Sequence, residues 1–220
     1  MTPRILVINP NSNDEVTDSI ARSLDAEAAF ANLGMDFVTL HDAPFGIESD
    51  ADIDAASALV VSAVAESGDR YDAFVIACYS DPGLSESRAA VDRPVLGIHE
   101  SAVGLSAAHQ KRFGVLALSR ESIQRHIGYV RSLGLHEFHA GERPLNVSVA
   151  EGLEQGTFDK ILATGQELIA EDGAETLILG CAGLGGHARG AARALHVPVI
   201  DPVHAAVSMA AESLSSGAGN

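Results

Sequence analysis

Short apolar runs alternate along the chain with stretches in which apolar residues return every third or fourth position. The runs are Ile5-Leu6-Val7-Ile8, Asp36-Phe37-Val38-Thr39-Leu40, Phe74-Val75-Ile76-Ala77, Val95-Leu96-Gly97-Ile98, Phe113-Gly114-Val115-Leu116-Ala117-Leu118, Thr176-Leu177-Ile178-Leu179 and Val197-Pro198-Val199-Ile200, with a weaker one over 137–140. Runs this short and this continuously apolar predict strands buried on both faces. The helical period appears at Val16, Ile20, Leu24 and Ala28, again from Ile53 to Val64, and at Ile123, Ile127, Val130 and Leu133. Further helices are expected over 85–91, 159–171, 187–195 and 203–213. Ser12 followed by Glu15 is a capping-box signature for the first of them. Residues 41–51, with His41, Pro44, Phe45 and Gly46, read as a loop. Strands alternating with helices predict an α/β fold with parallel sheets covered on both sides.

The pattern runs twice. The first-strand arginines Arg4 and Arg112 are 108 apart (112 − 4), Cys78 and Cys181 are 103 apart (181 − 78), and Pro94-Val95 and Pro198-Val199 are 104 apart (198 − 94). Near-constant offsets predict two similar α/β halves. No Pro/Ser-rich linker separates them, so they are expected to share an interface, a favoured place for a pocket. A pseudo-twofold arrangement would bring the strand ends that carry the two cysteines to one cleft.

Composition narrows the partners. Of 220 residues, 46% are hydrophobic, which is enough for a substantial core, and the formal charge is −16. That balance speaks against nucleic acid and anionic membranes, which need a basic footprint. Met1-Thr2-Pro3-Arg4 leads into a strand without the apolar core of a signal peptide, and no apolar run approaches a membrane span. Two cysteines without a Cys-x-x-Cys fit a reducing compartment, so a cytoplasmic location is expected. No P-loop, His-Glu-x-x-His or Gly-x-Ser-x-Gly occurs, and Gly183-Leu184-Gly185-Gly186 lacks the spacing of a dinucleotide fingerprint. His136 and His139 have no evident third metal ligand. No metal or cofactor is expected.

The candidate chemistry rests on the cysteines. Each ends an apolar strand and precedes a Gly- or Ser-rich turn and a helical pattern. A helix N-terminus lowers a thiol's pKa, and a thiol near neutrality serves as general acid or base. Two thiols across one pocket suit inversion at a carbon next to a carbonyl: one takes the proton, the other returns one to the opposite face. The developing enolate needs donors placed in advance. Candidates are the amides of Tyr79, Ser80, Ala182 and Gly183, and the side chains of Asn9, Ser12, Ser80 and Ser119. The plain alternatives are that a lone cysteine after a strand is a small buried hydrophobe, that Asn9, Ser12 and Ser119 only turn or cap the chain, and that Asp81 is a loop hydrogen-bonder. His99 and His204, each just after a final strand, are weaker candidates.

Ile8-Asn9-Pro10-Asn11-Ser12, Ala77-Cys78-Tyr79-Ser80-Asp81-Pro82-Gly83-Leu84 and Gly180-Cys181-Ala182-Gly183, in this order, resemble the Asp/Glu/hydantoin racemase superfamily, and most of all its hydantoin and allantoin racemase branch. The resemblance covers nearly the whole chain. It implies two Rossmann-like domains with the active site in the cleft between them: residues 1–98 with a returning last helix, 203–220, and residues 99–202. It also implies cofactor-independent racemisation of a cyclic ureide by Cys78 and Cys181, with Asn9, Ser12, Tyr79, Ser80, Ser119, Ala182 and Gly183 around the substrate. A homo-oligomer is the expected assembly. Ser80, where many hydantoin racemases carry Gly, and the glycine-rich Leu184-Gly185-Gly186-His187 depart from the pattern at the pocket rim. Rival expectations are a racemase of acidic amino acids, which would need free cations such as Arg120, a decarboxylase or cis-trans isomerase of the superfamily, and a non-catalytic small-molecule binder.

Overall fold

The computed structural model describes residues 2–25 and 27–217; residues 1, 26 and 218–220 of the expected first domain lie outside the described residues. The first half runs β1 (Arg4–Asn9), α1 (Asp14–Asp25), β2 (Gly34–Thr39), α2 (Asp50–Ser67), β3 (Ala73–Ile76), α3 (Leu84–Ala90), β4 (Val95–Gly97) and α4 (Ile98–Ala108). The second repeats it: β5 (Phe113–Ala117), α5 (Arg120–Ser132), β6 (His139–Pro144), α6 (Thr157–Ala170), β7 (Thr176–Leu179), α7 (Ala188–Leu195), β8 (Val199–Ile200) and α8 (Pro202–Gly217). Two parallel four-stranded sheets result, ordered β2-β1-β3-β4 and β6-β5-β7-β8. α8 packs on α4 and on β3 and β4, so the last helix returns to the first sheet. No helix among the described residues is long and apolar enough to cross a membrane.

The central strands β1, β3, β5 and β7 are buried almost throughout, as their apolar runs require. The edge strands β2 and β6 are only half-buried. β6 reads His-Ala-Gly-Glu-Arg-Pro, with no apolar run to announce it, and lies a few residues beyond the expected 137–140. One apolar layer joins the halves. Ile5, Val7 and Val75 of the first sheet belong to the same buried cluster as Phe113, Val115 and Ile178 of the second, through Ile98, Ala102, Val130 and Val207.

Three local expectations change. Asn13, not Ser12, caps α1: its Oδ1 accepts from the Glu15 amide at 3.0 Å, while the Ser12 amide turns away to the Pro44 carbonyl at 3.0 Å. Ile98 does not end a strand. It opens α4, a helix the apolar period does not announce. A 3-10 segment, Ala182–His187, comes between Cys181 and α7.

α4 can follow β4 without a loop because a distant carboxylate satisfies its first amides. Asp81 accepts from the His99 amide at 3.0 Å and the Glu100 amide at 2.9 Å. Its left-handed backbone, φ 45°, turns the side chain that way. Asp201 does the same for α8, accepting from the Val203 amide at 2.9 Å and the His204 amide at 3.3 Å. The two carboxylates are not equivalent in the repeat. Residues 81 and 97 correspond to 185 and 201, a constant offset of 104 (185 − 81 and 201 − 97). The first half has Asp81 against Gly97; the second has Gly185 against Asp201. A Cβ on Gly97 would stand 2.3 Å from Asp81 Cγ, and one on Gly185 would stand 2.3 Å from Asp201 Oδ2. Each contact holds one carboxylate and one glycine, in exchanged positions.

Gly97→Ala is therefore expected to cost about 1–3 kcal/mol by overpacking, read by urea denaturation. The exchange Asp81→Gly with Gly97→Asp, which recreates the second half's arrangement, should lose less than Gly97→Asp alone. Equal loss in the two would show that the contacts are not equivalent.

Candidate active site

In each sheet the strand order reverses between the first and third strands, β1/β3 and β5/β7. Open α/β sheets bind ligands at the carboxyl ends of such strands. Cys78 follows β3 by one residue beyond Ala77, and Cys181 follows β7 by one beyond Gly180. The two crevices face each other, and both thiols line one cavity with Tyr79, Ser80, Ser119 and Ala182. Gly180 has to be glycine for this: a Cβ there would lie 2.7 Å from the Leu116 carbonyl oxygen of the neighbouring strand. Both cysteines are free.

The thiols reach the cavity, but the walls strip them of water. Burial pushes the Cys78 thiol up to about 12 and the Cys181 thiol up to about 11. Opposing this, the Ser80 amide and hydroxyl act on Cys78, and the Gly183 and Leu184 amides act on Cys181. A charge on Cys181 also raises Cys78, so the two sulfurs interact. The expectation of thiols lowered by helix N-termini is thus corrected. α3 starts only at Leu84 and Cys181 leads into a short 3-10 segment, so desolvation outweighs the local amides. Mutual repulsion favours one thiolate beside one thiol over two thiolates.

The other expected site residues divide into two groups. Ser119 lines the cavity and caps α5 as well, accepting from the Ser122 amide at 3.3 Å. Asn9, Ser12 and Gly183 are not among the residues that line it. Asn9 is buried and spends its side chain on its neighbours: Nδ2 donates to Asn11 Oδ1, the Asn13 carbonyl and Thr17 Oγ1 at 3.0, 3.1 and 3.0 Å. It holds Asn11, which takes the lining position. Gly183 contributes through its amide on Cys181. Of the weaker candidates, His99 is buried beneath Tyr79, with ring centroids 4.0 Å apart. His204 lies in a separate groove, against Phe30. Arg120 is exposed and outside the cavity.

Sequence patterns did not single out the rest of the wall: Ile47, Glu48, Arg125, His126, Val147 and Val149. Part of the 41–51 loop does reach the cavity, but through Ile47 and Glu48; His41 and Phe45 point to solvent. Glu48 straps this loop to the second half. Its Oε1 accepts from the Val149 amide at 3.0 Å, and its carbonyl accepts from Arg125 Nη2 at 3.1 Å. Arg125 is held further by Asp50 at 3.4 Å. His126 is the most telling omission. It sits on the buried face of α5 beside Val130, and a polar residue is invisible to an apolar period. Among the described residues no group of three or more His, Cys, Asp or Glu is arranged to hold a metal ion.

Known proteins are similar to this chain over nearly its whole length. A hydantoin racemase from Paenarthrobacter aurescens is 34% identical over 219 residues, 97% of this chain and 92% of its own. A hydantoin racemase from Rhizobium meliloti is 33% identical over 229 residues, 97% of this chain and 89% of its own. The allantoin racemase from Klebsiella pneumoniae superimposes with a TM-score of 0.89 at 28% identity, covering 98% of this chain and 89% of that one. The pattern of the Asp/Glu/hydantoin racemase family matches residues 5–210, from the first strand into the last helix, and the chain belongs to that family.

Proposed function

We propose that the protein racemises a 5-substituted hydantoin or allantoin at C5 without a cofactor, using Cys78 and Cys181 as the two acid–base groups. The observation that carries this is that both sulfurs line one cavity, at facing strand ends, close enough for one charge to raise the other's pKa. In such a ring, C5–H is flanked by a carbonyl and a ring nitrogen. One thiolate takes that proton, and the electron pair moves into the neighbouring carbonyl as an enolate. The opposite thiol returns a proton to the other face, and its sulfur becomes the next turnover's thiolate. Desolvation makes the thiolate a stronger base than it would be in water. Repulsion between the sulfurs keeps the partner protonated. Ser80, Ser119 and the amides of Tyr79 and Ala182 are the donors for the enolate oxygen.

The rest of the wall favours a neutral ring over an acidic amino acid. Among the described residues Arg125 is the one Lys or Arg lining the cavity; its Nη2 donates to the Glu48 carbonyl and its Nη1 lies 3.4 Å from Asp50, and Arg120 lies outside. A dicarboxylate would therefore find one cation where two carboxylates need partners.

Cys78→Ser and Cys181→Ser should each lower racemisation of a single-enantiomer hydantoin by at least about a hundredfold, the scale of losing a positioned acid or base, read as decay of optical rotation. In deuterated water the wild type should place deuterium in the inverted product first. Full racemisation by either variant would overturn the two-thiol assignment. The thiols themselves give a test that needs no substrate. Because burial raises both, iodoacetamide should alkylate them more slowly than free cysteine at pH 8. The rate should keep climbing through pH 9.5 as thiolate accumulates; a plateau below pH 9 would contradict the raised values.

A further inference from the structure

Behind the cavity stands a buried polar cluster that proton transfer between two thiols does not use. His126 is 3% exposed, and part of it lines the cavity. Its Nδ1 lies 2.9 Å from Oε2 of Glu142, whose side chain is fully buried on β6. The other oxygen, Oε1, faces His139 Nε2 at 3.4 Å. Tyr79 and His99 pack edge-on to the His126 ring, with centroids 5.0 and 5.3 Å away.

This arrangement determines what His126 shows to a ligand. An ionised carboxylate can only accept, so Nδ1 carries the proton that binds Glu142. Nε2 is left with its lone pair, and no protein donor meets it among the described residues. Arg125, the neighbouring residue on α5, already brings a positive charge to the same wall. The remaining polar wall offers serine hydroxyls and backbone amides as donors, and Glu48 and His126 as acceptors.

We propose that His126 is a specificity-determining residue: its Nε2 accepts a hydrogen bond from a ring N–H of the bound ureide, and Glu142 is the positioning residue that fixes the tautomer. The assignment rests on the cyclic-ureide reading above and adds a reason for it. A hydantoin ring offers N–H groups between and beside its carbonyls, and an acceptor is what they require. A substrate presenting only carboxylate oxygens would set acceptor against acceptor.

The test uses the intact protein with 5-benzylhydantoin and its N1-methyl and N3-methyl derivatives. His126→Phe should raise KM for the unmethylated ring about tenfold or more, with a smaller change in kcat, as when a polar substrate group loses its partner. One of the methyl derivatives should already bind the wild type poorly and lose nothing further in the variant. His126→Gln, whose amide oxygen can accept, should recover part of the affinity and guards against a misfolded Phe variant. Glu142→Leu, which removes the acceptor, should raise KM in the same way, and long-range proton–nitrogen NMR should show the His126 proton leaving Nδ1. Equal losses on methylated and unmethylated rings, or no loss, would overturn the role of His126 while leaving the racemase intact. No wild-type racemisation of any of the three, of an alkyl hydantoin or of allantoin would instead remove the cyclic-ureide reading, and this assignment with it.

Discussion

The structure depends on one apolar layer that two sheets share. Ile5, Val7 and Val75 on one side and Phe113, Val115 and Ile178 on the other bury their side chains in a common cluster, closed by α4, α5 and α8. Each such aliphatic side chain taken fully out of water contributes about 1.5–3 kcal/mol. The layer therefore leaves the halves little freedom to separate. Cross-half polar contacts refine the fit: Ser23 with Asp201, Glu27 with Arg189, and Glu48 with the Val149 amide. With the halves locked together through these helices, the turns after β3 and β7 reach one cavity, and both thiols line it.

That arrangement suits a reaction that runs equally in both directions. Interconverting mirror images needs similar chemistry on two faces, and a repeated fold supplies similar strand ends. The repeat is not copied residue for residue. Asp81 against Gly97 becomes Gly185 against Asp201, so α4 is capped by a carboxylate from the loop after β3 and α8 by the residue just before it. The helix amides require an acceptor, and the packing leaves room for only one side chain at each contact. Either side of the contact can provide it. The consequence falls beside the cysteines: Asp81 stiffens the turn after Cys78, while the turn after Cys181 keeps glycine and winds into a 3-10 segment whose amides face the sulfur.

Desolvation is the price of the cavity and also its chemistry. Water-free walls make each thiolate costly to form, against the help of the Ser80, Gly183 and Leu184 amides. In the proposed reaction the same walls would strengthen any hydrogen bond made to the enolate. Behind them, the His126–Glu142 pair places a further polar group beside the cavity.

Much of this was legible along the chain. Buried central strands must be apolar on both faces, so Ile5–Ile8, Phe74–Ile76 and Thr176–Leu179 announce themselves, and two copies of the pattern announce two sheets. The strand-end position of both cysteines follows from the same reading. β6 was only weakly legible, because an edge strand needs no apolar run, and α4 was not, because it is started by a carboxylate from a distant loop. The sequence by itself determined the α/β class, the doubling, the family resemblance and the identity of the two thiols. Tertiary structure alone decided that Asn11 rather than Asn9 faces the cavity, that burial raises the thiols instead of lowering them, and that Glu48, Arg125 and His126 complete the wall. The reason is physical. Periodicity reports which side chains leave water, whereas the direction of a side chain, its partners and the dielectric around it are set by residues far away in the chain.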